Sequence, residues 1–179
     1  LPHNWISMMV HTLSTLGPKV LASRMVRDYT QQLYAPAARN GWWAARDDFT
    51  GAKDLAGYRG RVRAAWGGVR VDHVESSGVS DSPQVGDVLH VTSFVELGGL
   101  APADVDVQVV HGRPGRGTDE LSDVASLSLT HRAAHDDGKH EYSGDLRLER
   151  TGDFGYTVRV LPTHEGLAFQ ASLGLVANA

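Results

Sequence analysis

Residues 68–179 alternate between apolar and polar side chains with a period of two, and this pattern restricts the fold more than any other feature of the chain. Such alternation is typical of strands that bury one face and expose the other. Strands are predicted at Val69–Val74, Leu89–Leu97, Val105–Val109, Ala125–Leu129, Glu141–Glu149, Phe154–Val160 and Leu173–Ala177. On the second of these strands, Val88 and Phe94 interrupt the polar side. Short strands separated by turn signals, including Asp137-Gly138, predict an antiparallel, immunoglobulin-like β-sandwich.

Residues 1–67 follow a helical period instead. A first helix is predicted from Asn4, as the N-cap, to Gly17-Pro18. Its apolar residues fall on one stripe, formed by Trp5, Met8, Met9, Leu13 and Leu16. A second helix is predicted to begin after Ser23 and to stop before Pro36, because the residue before a proline disfavours the helical conformation.

A third helix is predicted from about Thr50 to Trp66. Its stripe consists of Leu55, Tyr58, Val62 and Trp66. Gly57 and Gly60 lie inside it, and each costs about 1 kcal/mol relative to alanine. We therefore expect another backbone to approach this helix closely at the two glycines.

Composition divides the chain at the same place as the periodicity. All Trp and Met residues lie in residues 1–67, which have a net charge of +5, whereas residues 68–179 have a net charge of −9. We predict an α+β protein with a short helical segment over 1–67 and a β-sandwich over 68–179. Three short helices bury too little surface for a core of their own, so we expect them to dock on another structure.

The overall composition excludes several classes of protein. A hydrophobic fraction of 41% and a charged fraction of 21% are ordinary for a globular chain, and no apolar run reaches the length of a membrane span. The net charge of −4 argues against nucleic acid as a partner. The absence of cysteine suits a reducing compartment, and we expect a cytoplasmic protein that does not bind membranes. Because the chain begins with Leu1 and not methionine, we expect it to be a piece of a longer protein.

Histidines and a glycine-rich segment are the first candidates for chemistry. His135 and His140 flank the Asp-Gly turn and are predicted to face each other across a hairpin, as a solvated pair without a metal. His111–Thr118 resembles a phosphate-binding loop, but strands on both sides favour a simple connection. The sequence therefore predicts no catalytic, cofactor-binding or metal-binding residue.

Trp42 and Trp43 are the candidates for contact with sugar, because adjacent exposed aromatic rings suit the apolar faces of pyranoses. The alternative is that both side chains anchor the loop after the second helix, and we prefer this interpretation.

Two stretches carry a resemblance to a known family. Arg24–Tyr29 and Leu33–Ala38, with the preceding Trp5 and Met8-Met9, resemble a region near the end of bacterial α-glucan (glycogen or maltodextrin) phosphorylases, most of all the actinobacterial branch. Gly152–Pro162 and Leu173–Val176 resemble the C-terminal extension of that branch. The resemblance brackets nearly the whole chain.

The resemblance implies a parent glycosyltransferase that cleaves α-1,4-glucan with phosphate, using pyridoxal phosphate on a lysine that follows a Gly-Met dipeptide. Lys19, Lys53 and Lys139 do not follow methionine, so the fragment is expected to lack the cofactor and to be inactive alone. Its partners are expected to be the catalytic lobes of the same parent chain. The sandwich is then structural or mediates interactions; the alternative is a carbohydrate-binding module that holds α-glucan. An unrelated adhesion-type or inhibitor sandwich is a third option.

Overall fold

A computed structural model describes residues 2–80, 83–115 and 120–179 of the protein. The chain forms two compact units, one that ends at Ala52 and one that spans Lys53–Ala179. The division predicted between a helical segment, 1–67, and a sandwich, 68–179, remains a prediction. Within the described ranges, no helix combines the length and the apolar character that crossing a membrane requires.

The helices begin with α1, His3–Val20, and α2, Ala22–Tyr29. The prediction that α1 ends at Gly17-Pro18 is wrong by a few residues, because the helix continues to Val20. A residue before proline normally avoids the helical region because its Cβ contacts the proline ring, and Gly17 has no Cβ. The proline therefore lies inside the last turn of α1 without ending it.

Helical backbone continues through Pro36, contrary to the prediction that it stops before this residue. A π-helical turn, Thr30–Tyr34, follows α2 and leads directly into α3, Ala35–Ala65. Pro36 occupies the first turn of α3, where a missing N–H is tolerated. Trp42 and Trp43 consequently lie within α3 and not in a loop, so the interpretation of the pair as loop anchors is corrected.

A break divides α3 in its middle. Asp47, Asp48 and Phe49 have φ values of 46°, 55° and 63°, in the left-handed region. After the break, Gly51 lies so close to the carbonyl oxygen of Trp43 that a Cβ would overlap it. Glycine is therefore required where the chain turns back on itself.

Across the described residues, eight strands follow a short 3₁₀ turn, Trp66–Gly68. They are β1 Val69–Ser77, β2 Val88–Leu97, β3 Val105–Pro114, β4 Leu121–Ser128, β5 Thr130–Ala134, β6 Lys139–Arg147, β7 Gly155–Pro162 and β8 Ala177–Asn178. All described pairings are antiparallel, in two four-stranded sheets with the orders β1-β2-β6-β5 and β4-β3-β7-β8. Lettered A, B, C, C′, D, E, F and G in chain order, these are the A-B-E-D and C′-C-F-G sheets of an immunoglobulin-type sandwich. The predicted fold class is confirmed.

The core lies between the sheets and consists largely of valines. Val91 and Val95 of β2 face Val107 and Val109 of β3, and all four are at most 1% exposed. These are the positions that the period-two pattern places on the buried face. Burying each such side chain contributes about 1.5–3 kcal/mol.

The C-terminal part of α3 belongs to the same core. Tyr58 and Val62 are fully buried, and Leu55 and Trp66 are half-buried against the core, as the predicted stripe requires. This packing explains why the second compact unit begins before the first strand.

Three local predictions are wrong. The last strand, predicted at Leu173–Ala177, is shortened to Ala177–Asn178 because a 3₁₀ turn, Gln170–Leu173, precedes it. β5 was not predicted, because its exposed residues follow Leu129 without a turn signal. The close backbone approach expected at Gly57 and Gly60 occurs instead where α3 ends. There, an added Cβ on Gly98 would lie 2.6 Å from the carbonyl oxygen of Ala65.

Gly60, which has open space around it, and Gly98, which is tightly enclosed, should respond in opposite ways to an added methyl group. No neighbouring atom lies within 4 Å of a Cβ built on Gly60, so Gly60→Ala should raise the free energy of unfolding by about 0.5–1 kcal/mol. Gly98→Ala is the matched control: Gly98 has a φ of +61° and no free space, so this variant should lose about 1–3 kcal/mol. Urea denaturation of both variants measures the effects, and a destabilised Gly60→Ala would contradict the packing described here.

Candidate functional site

The helices of the first unit expose their apolar side chains. No residue of α1 is buried, and Trp5, Met8 and Leu13 are 53%, 63% and 70% exposed. The α1 stripe predicted from the sequence is therefore present, but it faces away from any core in the described residues. Apolar surfaces of this kind mark interaction sites in soluble proteins.

Trp42 and Trp43 do not form a joint flat surface. Consecutive residues of a helix point about 100° apart. Trp42 is 74% exposed, whereas Trp43 is half-buried and has the guanidinium of Arg46 at 4.9 Å from its ring centre. That cation–π contact occupies one face of the Trp43 ring. Contact of this pair with sugar remains a prediction.

In the second unit, Tyr58 joins α3 to the sandwich. Its hydroxyl donates a hydrogen bond of 2.9 Å to the backbone carbonyl of Asp104, and its ring stacks on the imidazole of His164 at 4.5 Å. Burial of the hydroxyl, reinforced by the negative charge of Asp104, raises the pKa of Tyr58 to about 12. The side chain is thus held as a neutral hydrogen-bond donor.

His164 completes this contact from the loop after β7. Its Nδ1 accepts a hydrogen bond from the backbone N–H of Gly166 at 3.1 Å, so in the neutral ring the proton lies on Nε2. Nε2 lies 3.2 Å from the carboxylate of Asp54, and Arg61 lies 3.6 Å from that of Asp104. We call Asp54, Tyr58, Arg61, Asp104 and His164 the helix clasp.

The hairpin histidines pair differently from the prediction. Nε2 of His131 lies 3.1 Å from Nδ1 of His140, whereas Nε2 of His135 lies 3.2 Å from the carboxylate of Glu141. Ala134 of β5 is the cross-strand partner of His140, and both lie on the inner face of the sheet. Because successive strand residues point to opposite faces, the next residue, His135, lies on the outer face. The predicted pairing of His135 with His140 is therefore wrong.

Burial lowers the pKa of His140, and the neighbouring His131 and then His135 lower it further. The imidazole of His140 is consequently neutral at neutral pH. No group of three or more potential metal-ligating side chains gathers within the described ranges.

The outer face of the first sheet carries an aromatic ladder that sequence reasoning missed. The ring of Phe94 stacks on His73 at 4.3 Å and lies 5.7 Å from His135. The signal was present in the sequence, because Phe94 interrupts the polar side of its strand. Stacked rings cover each other's faces, so this ladder offers edges and not a flat aromatic platform.

A cavity of about 950 Å³ opens at one end of the sandwich. Its lining includes His111 and Phe154, whose rings are 5.9 Å apart, and burial lowers the pKa of His111. The strand predicted to begin at Phe154 begins at Gly155, and Phe154 itself is 39% exposed. Of the predicted loop His111–Thr118, the first four residues belong to β3, and residues 116–118 lie outside the described ranges.

This chain is similar to known proteins over nearly its whole length. The family described as the glycogen phosphorylase C-terminal domain matches residues 66–179. Glycogen phosphorylase of Mycobacterium tuberculosis (strain ATCC 25618 / H37Rv) is 46% identical over 178 residues, covering 99% of this chain and 20% of the relative. Maltodextrin phosphorylase of Thermococcus litoralis is 27% identical over 175 residues, covering 96% of this chain and 20% of the relative. The chain thus spans about a fifth of the length of these relatives.

Removal of the Tyr58 hydroxyl tests the clasp. Tyr58→Phe should lower the free energy of unfolding at pH 7 by about 1–1.5 kcal/mol, because the carbonyl of Asp104 loses its donor. The raised pKa makes ionisation favour the unfolded chain, so the stabilisation is present below pH 10 and lost as pH rises through about 12. Tyr58→Phe should therefore flatten the alkaline decline. Tyr34→Phe, at an exposed position, is the control, and equal stability of both variants would contradict the assignment.

Proposed function

The chain belongs to the family of glycogen phosphorylase C-terminal domains, and from this membership we propose that it is the non-catalytic C-terminal part of an α-glucan phosphorylase. Its sandwich has a structural and interaction-mediating role. The parent enzyme is a cytoplasmic glycosyltransferase that converts α-1,4-glucan and phosphate to glucose 1-phosphate. The observation that carries the proposal is the exposed apolar surface of the helices, combined with relatives about five times as long as this chain.

The parent enzyme's cofactor, pyridoxal phosphate, would bind outside this chain, because no lysine here suits it. A Schiff-base lysine needs a desolvated amine or a lowered pKa. Lys139 has the opposite environment: a hydrogen bond to Asp72, and next the charge of that carboxylate, raise its pKa. Lys19 and Lys53 are exposed. These environments support a non-catalytic role.

The apolar surface of α1 suits the catalytic lobes of the same parent chain. Leu13 is 70% exposed, and covering such a side chain contributes about 1.5–3 kcal/mol. The alignments to the longer relatives extend over nearly the whole of this chain, so the partner surface is expected in the remaining four-fifths of the parent. An intramolecular partner that covers this surface in the intact enzyme also explains why the surface is exposed in this chain.

A charge placed on the α1 stripe tests this docking in the full-length parent enzyme. Leu13→Asp should lower the parent's thermal midpoint and its phosphorolysis rate, because burying an unpaired carboxylate costs several kcal/mol. The same substitution in the 179-residue chain should change its stability by less than about 0.5 kcal/mol, because position 13 is already exposed there.

Ser7→Asp is the matched control, because residue 7 lies on the face of α1 opposite the stripe. It should leave the parent enzyme unchanged. If Leu13→Asp and Ser7→Asp affect the parent equally, α1 does not dock through its apolar stripe.

The second candidate function is a carbohydrate-binding module that holds α-glucan near the active site. It is favoured by exposed aromatic side chains in both units: Trp42 is 74% exposed and Phe169 is 66% exposed. Single exposed rings present a free face, which is what stacking on a pyranose requires.

Affinity electrophoresis in glycogen separates the two functions. If the sandwich is structural, the piece 53–179 should migrate as it does without glycogen. Retardation of that piece, lost in Phe169→Ser, would support the binding module. Retardation of the full chain alone, lost in Trp42→Ser, would assign sugar contact to the helical unit. Thr163→Ser in the piece and Ser7→Ala in the full chain are the control variants. Neither changes the net charge or removes an aromatic ring, so neither should alter migration in glycogen.

A further inference from the structure

Two imidazoles meet on the inner side of the first sheet, next to its edge strand. His131 lies on β5, the edge strand, and His140 lies on the neighbouring β6. Both side chains are partly buried, and Nε2 of His131 lies 3.1 Å from Nδ1 of His140. None of the functions proposed above uses this pair.

The hydrogen bond between the two rings depends on how many protons the pair carries. A neutral imidazole has one N–H donor and one acceptor nitrogen, so the neutral pair forms the bond with one facing nitrogen as donor and the other as acceptor. One added proton, on the far nitrogen of the donor ring, leaves this bond intact. A second added proton turns both facing nitrogens into donors and places two positive charges side by side. The pair therefore tolerates one added proton and not two.

We propose that this histidine pair is a pH-sensitive contact that holds β5 on β6, formed while at most one of the two imidazoles is charged and broken when both are. β5 has five residues and pairs on one side with β6, and its register shifts between His131 and Ala133. Short elements with few contacts open locally before the whole domain unfolds. Opening of β5 uncovers backbone groups of β6, and an unpaired strand edge can pair with another chain.

The neighbours of the pair within the sheet do not compensate a second positive charge. The ring of Tyr142 lies 5.1 Å from that of His131, and burial raises the pKa of Tyr142 to about 12, so its hydroxyl is uncharged. The residue opposite His140 on β2 is the apolar Val95. Burial lowers the pKa of His140, and the charges of His131 and then of His135 lower it further.

The carboxylates nearest to His140 are already paired with other cations. Glu96 and Asp137 line a hollow together with His140. Glu96 lies 2.6 Å from the guanidinium of Arg70. Asp137 lies 3.5 Å from the ammonium of Lys139. Among the described residues, the lining of this hollow therefore supplies no unpaired carboxylate to a doubly charged pair.

The direction of the pH effect follows from the number of protons bound by each state. Once β5 is open, both imidazoles take up protons at the ordinary histidine pKa of about 6.5. The closed pair holds one proton fewer, since protonation of His140 is opposed by burial and by its neighbours. Opening thus takes up a proton below pH 6.5, and its equilibrium constant should rise by up to about tenfold for each pH unit of acidification. The contact is fully formed above that pH and is lost as the pH falls.

Hydrogen exchange of the whole chain, followed by mass spectrometry and corrected for the intrinsic pH dependence of exchange, tests the proposal. Between pH 6.5 and pH 5.5, amides that join β5 to β6 should lose protection by up to about tenfold. Amides that join β3 to β7 should keep their protection over the same range, because these strands belong to the other sheet.

A double variant, His131→Gln with His140→Asn, replaces the pair by side-chain amides that can form the same hydrogen bond and do not titrate in this range. Protection of β5 should then no longer depend on pH. His135→Gln and His73→Asn are matched controls, because these imidazoles lie beside carboxylates on the outer face. Both control variants should retain the acid-dependent loss of protection.

Nuclear magnetic resonance titration of the imidazoles in the unaltered chain keeps the test valid if the double variant fails to fold. The signals of His131 and His140 should shift in two coupled steps, with the second at least about one pH unit below the ordinary histidine value. Independent titration of both rings near pH 6.5 would overturn the proposal. So would β5 protection that does not change with pH, that falls equally in both sheets, or that depends on His135 or His73. These results do not depend on whether the chain acts structurally or binds glucan.

Discussion

The sandwich depends on closing its core with a helix. Two sheets of valine-rich strands leave one end of their shared interior uncovered, and Tyr58 and Val62 of α3 are fully buried there. Apolar burial of this kind is the dominant favourable term in folding. The position of α3 after its break is therefore set by the same core that holds the sheets together, and the helix clasp forms around a side chain that packing has already placed.

Charge contributes less to this junction than the composition indicates. The first segment is basic and the second is acidic, and the pair of Arg61 with Asp104 has the corresponding polarity. His164 with Asp54 has the reverse polarity, since the acid belongs to the helix. The side chains of Arg61 and Asp54 are more than half exposed, and exposed ion pairs are individually weak. The Tyr58 hydroxyl, which is buried and directional, specifies the fit better than the net charges do.

Periodicity predicted the elements that pack on one face, and it failed where local geometry decides. The stripe of the third helix and the buried valines were predicted because their spacing repeats. The family resemblance of Arg24–Tyr29 and Gly152–Pro162 is confirmed by the family match and the mycobacterial relative. Pro36 misled the prediction because a π-helical turn precedes it. The pairing of His131 with His140 could not be predicted, because it depends on β5, a five-residue strand that follows Leu129 without a turn signal. Phe94 was visible as an irregularity, but its partner His73 is fixed by strand register.

The family match and the compact unit of the structure place the start of the C-terminal domain at different residues. The family match begins at residue 66, whereas the compact unit begins at Lys53. A domain cut at the first boundary lacks Tyr58 and Val62, and two fully buried side chains would leave an opening in the core. Removing buried groups of this size costs several kcal/mol, a large part of the stability of a domain this small. The physical domain therefore includes the last part of the preceding helix, whose Tyr58 and Val62 complete the core of the sandwich.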